Sequence, residues 1–171
     1  VGAERASGGT RVVLAFPPGA AQQALWPYQA ELELAVTVGE RLLLELTTRN
    51  TGTIPLNLTQ ALHTYFHVGD IAVARVEGLD GCEYIDKVDG SARKRQSGAV
   101  RIDGEVDRVY LGCPGEVVVV DDALRRRIRI GKRGSQSCVV WNPWAETGAT
   151  FGDMGAAGSL KMLSFVPPPP R

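Results

Sequence analysis

At 171 residues, with 19 lysines and arginines balanced by 19 aspartates and glutamates, the chain has the length of one domain with a sizeable core and no net field to gather nucleic acid or an anionic membrane. Three cysteines, Cys82, Cys113 and Cys138, form no CxxC pair and have no histidine at ligand spacing, which argues against a disulfide scaffold and a zinc site and for reduced thiols. No run approaches the roughly eighteen apolar residues of a membrane helix, and Val1-Gly2-Ala3-Glu4-Arg5 lacks the apolar stretch of a signal peptide, so a soluble, cytoplasmic protein is expected.

In chain order, Ala20 to Trp26 is the nearest thing to a helical stripe, but it is short and stopped by Pro27, and reads as a loop with at most one helical turn. From Glu31 the residues alternate, with Leu32, Leu34, Val36 and Val38 on one side and Glu31, Glu33, Ala35 and Thr37 on the other. After a Gly39-Glu40 turn, Leu42, Leu44 and Leu46 repeat the pattern, which predicts an antiparallel hairpin over 31–49. Further strands are predicted at 56–68, 71–78, 99–102, 107–111, 116–120, 126–131, 136–141 and 160–166, separated by Gly, Asp and Pro turns. Many short strands with few helices indicate an all-β fold, an antiparallel sandwich or barrel, in one domain without internal repeats. In Arg125-Arg126-Arg127-Ile128-Arg129-Ile130 the isoleucines alternate with arginines and Asp121-Asp122 offsets the charge, so this run reads as a solvated strand face and not a nucleic-acid patch. Pro167 to Pro170 would be a polyproline ligand only in a weak reading.

The only two histidines lie in Ala61-Leu62-His63-Thr64-Tyr65-Phe66-His67-Val68. On a strand, a spacing of four places their side chains on one face but about 13 Å apart, too far to share one metal ion. Leu62, Thr64, Phe66 and Val68 make the opposite, largely apolar face, so His63, Tyr65 and His67 project into what looks like a cleft. Taken alone, a strand histidine is more often a structural hydrogen-bonding group than a catalyst. Trp141, Trp144 and Tyr65 read as core aromatics, Asp86 and Lys87 as a loop ion pair, and Asp153 as structural.

Ala61-Leu62-His63-Thr64-Tyr65-Phe66 is followed by Val68-Gly69-Asp70-Ile71, Val76-Glu77-Gly78-Leu79-Asp80-Gly81, Tyr84-Ile85-Asp86-Lys87-Val88, Val106-Asp107-Arg108-Val109-Tyr110-Leu111 and Val140-Trp141-Asn142-Pro143-Trp144. In order and spacing these blocks resemble the glucose-6-phosphate 1-epimerases, relatives of galactose mutarotase, over about residues 25–163. The resemblance implies a mutarotase-like β-sandwich, here its carboxyl-terminal portion, and interconversion of the α and β anomers of glucose 6-phosphate or a related hexose 6-phosphate without a cofactor or metal. It also implies that His63 is the acid that protonates the ring oxygen and that Asp107 binds the sugar, roles their chemistry suits.

The likeness breaks at the end. Where the family continues as Cys-Val-Glu, with the glutamate as base, the chain reads Ser164-Phe165-Val166 and passes into prolines over 167–170. Val166 then stands at the base's position, and the family's phosphate-binding arginines precede the matching region. The expectations are a 1-epimerase that as this chain alone is weakly active or inactive, and aggregation-prone or dependent on a partner that covers the open sheet face, or, alternatively, a catalytically impaired sugar-binding relative or truncated fragment.

Overall fold

In the computed structural model the short segments between Gly, Asp and Pro turns pair in antiparallel ladders. The structure describes residues 2–6, 8–16, 26–113 and 115–167, without the side chains of 4–6. The segment 20–26, apart from Trp26, and Pro168 to Pro170 lie outside the described residues. The described residues form fourteen strands and two one-turn helices, and the chain divides into two compact units, residues 1–58 and 59–171. No described helix is long and apolar enough to cross a membrane.

The first unit is a four-stranded meander of β1 (Gly2–Ala6), β2 (Gly9–Phe16), β3 (Ala30–Gly39) and β4 (Leu42–Asn50). The predicted hairpin over 31–49 is the β3–β4 pair. Its register aligns Leu14, Leu34 and Leu46, and beside them Val12, Val36 and Leu44, so the aliphatic residues of three strands share a face. The first two strands escaped the reading of the sequence.

The second unit stacks two antiparallel sheets. One contains β5 (Thr64–His67), β14 (Met162–Val166), β13 (Cys138–Asn142), β10 (Val106–Leu111), β7 (Glu83–Asp86) and β8 (Ala92–Arg95), in that spatial order. The other runs β12 (Arg126–Gly131), β11 (Glu116–Asp121), β6 (Arg75–Glu77) and β9 (Val100–Arg101). Val76, Val100, Val117 and Val119 of the smaller sheet join Tyr110, Val140, Leu163 and Phe165 of the larger in one buried cluster, the arrangement of a β-sandwich.

Two predicted strands are shorter than expected by five residues or more. The stretch 56–68 pairs only over Thr64–His67, and 71–78 only over Arg75–Glu77, because Asp70 accepts the Ala72 N–H on its side chain and the Ala74 N–H on its carbonyl, holding 71–73 in a turn. The arginine run is a strand face: Arg126, Arg127 and Arg129 pair with Asp121, Glu77 and Glu116. Asp86, the last residue of β7, is bound by Lys94 of the neighbouring β8 at 2.9 Å and not by Lys87, which follows in the turn.

The connection from β13 to β14 carries the two helices, α1 (Trp144–Gly148) and α2 (Gly155–Ser159). They approach closely at Gly148, where a Cβ would lie 1.8 Å from the Ser159 hydroxyl oxygen. Asn142, fully buried, ties the connection together: its Nδ2 donates to the carbonyls of Ser159 and Met162 at 2.8 and 2.7 Å, and its Oδ1 accepts the Trp144 N–H at 2.8 Å. This side chain closes the loop that returns β14 between β5 and β13.

Candidate functional site

One face of the six-stranded sheet covers the core, and the other carries polar, aromatic and aliphatic side chains together. In β5 and just before it, Phe66 packs against the core, while the exposed His63 and Tyr65 alternate with it. The ladders then set two rows across this second face. Tyr65 lies opposite Ser164, Ser164 opposite Trp141, and Trp141 opposite Asp107. In the next row Val109 lies opposite Val139 and Val139 opposite Val166. Continued by one residue beyond the Phe165–Thr64 pair, the register brings Val166 opposite His63.

These rows line a cavity of about 320 Å³ whose walls are Ala61, His63, Tyr65, Asp107, Val139, Trp141, Ser164 and Val166. That volume is near the lower end for small-ligand sites. Both predicted site residues, His63 and Asp107, therefore open onto one cavity although 44 positions separate them in the chain. His67 is not among the lining residues; its carbonyl accepts a hydrogen bond from Arg126. Among the described residues no group of three or more His, Cys, Asp or Glu side chains is placed to hold a metal ion.

Two of the three aromatics read as core belong to this cavity. Tyr65 is 53% exposed and meets Trp141 edge to face at 6.2 Å, and Trp141 meets Phe151 in the same way at 6.0 Å. Trp144 does pack against the core. Tyr65 and Trp141 sit on strands at positions facing the cavity, whereas Trp144 begins α1.

The Asp107 carboxyl is held above the usual carboxylate range, chiefly by burial and further by Glu105 and Asp86, against the opposing pull of Lys87. A carboxyl whose folded-state pKa exceeds its unfolded value binds more protons when folded, so stability falls as pH rises from the unfolded value through the folded one. Asp107→Asn should thus raise the melting temperature at pH 7 and leave it unchanged below about pH 3, under the ordinary aspartate pKa of about 3.9. Thermal scans at the two pH values check this, and an equal gain at both would point to packing instead.

Ser164 is the residue the sequence reading passed over except as a departure. It is 1% exposed and lines the cavity, and its hydroxyl oxygen has no hydrogen-bond partner among the described residues.

The aldose 1-epimerase family profile matches residues 3–167. A protein of Cenchrus ciliaris provisionally named glucose-6-phosphate 1-epimerase is 35% identical over 161 residues, covering 91% of this chain and 49% of that relative. One from Escherichia coli K12 with the same provisional name is 36% identical over 130 residues, covering 75% and 42%. The crystal structure of a Salmonella typhimurium protein provisionally described as a mutarotase superposes with a TM-score of 0.91 at 28% identity, covering 99% of this chain and 56% of that one. The chain spans about half the length of the relatives it matches.

Proposed function

The chain belongs to the aldose 1-epimerase family, and from that footing we propose that its cavity binds a hexose 6-phosphate at the anomeric centre, as part of a cytoplasmic sugar-phosphate 1-epimerase in which His63 is the acid and Asp107 a sugar ligand. The observation that carries this reading is the convergence of His63 and Asp107 on one cavity beside Tyr65 and Trp141.

Anomer exchange opens the hemiacetal and closes it on the other face. A proton goes to the ring oxygen as the bond from that oxygen to C1 breaks, while the C1 hydroxyl gives up its proton and becomes a carbonyl; closure reverses both transfers. An imidazole can give and recover the first proton near neutral pH. Asp107 stands three strands across and one row along the sheet from His63, so their backbones are separated by about 16 Å. Side chains reaching inward from that distance bracket a pyranose; they do not meet on one carbon. Asp107 is therefore suited to accept hydrogen bonds from hydroxyls at the far side of the ring, and Trp141 and Tyr65 to offer apolar faces to its C–H groups.

The place for the second proton acceptor is one strand from His63, about 5 Å away across the sheet. Val166 occupies it, and it lines the cavity with a side chain that cannot take a proton. This favours a second reading, a sugar-binding relative with impaired catalysis. Exchange spectroscopy on glucose 6-phosphate, with ligand-observed NMR for binding, tests both. Binding together with exchange above background that His63→Ala removes supports the enzyme, and binding with no exchange supports the second reading. A chain that neither binds nor exchanges sugar phosphate rules out both.

A further inference from the structure

A buried hydroxyl without a partner is uncommon, because the hydrogen bonds it gave up to water are not replaced. Ser164 carries such a hydroxyl inside the cavity wall. On the same face of β14, two residues or about 6.7 Å along, is Val166, with His63 opposite it; two strands, or about 10 Å, in the other direction is Asp107. Ser164 thus lies between the two groups that bracket the sugar. Tyr65 and Trp141 flank it on the neighbouring strands. Tyr65 is half exposed, so its ring has room to turn and uncover the serine.

We propose that Ser164 is a specificity-determining residue whose hydroxyl pairs with one ring hydroxyl of the bound hexose, an assignment that rests on the cavity being a sugar site. An uncharged hydroxyl that both donates and accepts complements a sugar hydroxyl. It brings no charge for a phosphate, and the cavity's ionisable walls near it are His63, Asp107 and Tyr65. The bound sugar relieves the unsatisfied oxygen, and a ligand lacking that one hydroxyl leaves it buried and unpaired, which is how a polar site rejects a deoxy analogue.

The test titrates the wild-type chain and Ser164→Ala with glucose 6-phosphate and its 2-, 3- and 4-deoxy analogues, reading dissociation constants by ligand-observed NMR and folding by thermal melts. Wild type should bind one of the three analogues about 5- to 10-fold more weakly than the parent sugar, the worth of one net hydrogen bond. Ser164→Ala should bind the parent more weakly by a similar factor and no longer distinguish that analogue, with a melting temperature no lower than wild type. If wild type binds the parent sugar and the variant keeps the same affinities and the same discrimination, the Ser164 assignment falls and the sugar site stands. If the folded wild type binds no hexose phosphate at all, the sugar site falls and the assignment falls with it.

Discussion

Val166→Glu is expected to raise the rate of glucose 6-phosphate anomer exchange by about 10²–10⁴-fold, the usual worth of one general acid or base group. The strand register gives the reason. Val166 is the cavity residue one strand away from His63, so a carboxylate introduced there would face the imidazole across the space proposed for C1 and its oxygens. Val166 is only 4% exposed, and burial will lift the pKa of the new carboxyl, which suits a base that must later return its proton. The same burial will lower the stability of the variant. Val166→Gln has nearly the same shape and no basic oxygen, so it should stay at the wild-type rate. His63→Ala in the Val166→Glu background should return the rate to background, since acid and base serve one bond-breaking event. Exchange spectroscopy across pH 5 to 9 would measure all four chains. A well-folded Val166→Glu protein that binds sugar phosphate at the wild-type rate of exchange would reject the placement of the base.

Asn142→Ala should destabilise the fold by about 2–4 kcal/mol, measured as a shift of the urea midpoint without change in slope. The side chain is fully buried and serves three backbone groups, the Trp144 N–H and the carbonyls of Ser159 and Met162. Alanine leaves all three in the interior without this partner. Asn142→Asp separates the contributions: it keeps the acceptor for Trp144 but loses both donors and adds a buried charge, so it should be at least as damaging. Because Met162 begins β14, loosening this knot should also weaken sugar binding by misplacing Ser164 and Val166. A stability unchanged within about 0.5 kcal/mol would mean that water replaces Asn142 without loss. The Asn142-Pro143-Trp144 segment thus acts through backbone closure and is not among the residues of the cavity wall.

Much of the fold was legible because its signals are local. Alternation predicted β3, β4 and β12 nearly to their ends, since each has one face toward apolar neighbours and one toward water, and β11 was predicted as a run of four valines between Pro-Gly and Asp-Asp turns. The same logic missed β8, where Ala92-Arg93-Lys94-Arg95 carries three charges on four residues and resembles a loop. Its pairing comes from β7 and from Asp86 and Glu83, which hold Lys94 and Arg95. It also missed the two helices of the β13–β14 connection, single turns too short to show a helical period.

The site divides along a similar line. By itself the sequence determined that this is an all-β chain of the aldose 1-epimerase family, because strand period and family motifs are properties of consecutive residues. It also singled out His63 and Asp107 through that resemblance. The tertiary structure alone decided that the two open onto one cavity, that Trp141 and Tyr65 line it while Trp144 supports the core, and that Ser164 carries an unsatisfied hydroxyl there. The physical reason is that strand neighbours in space are set by register between segments up to a hundred residues apart. β14 enters between β5 and β13 with its first residue tied to Asn142, and no local pattern records which residues will then face one another.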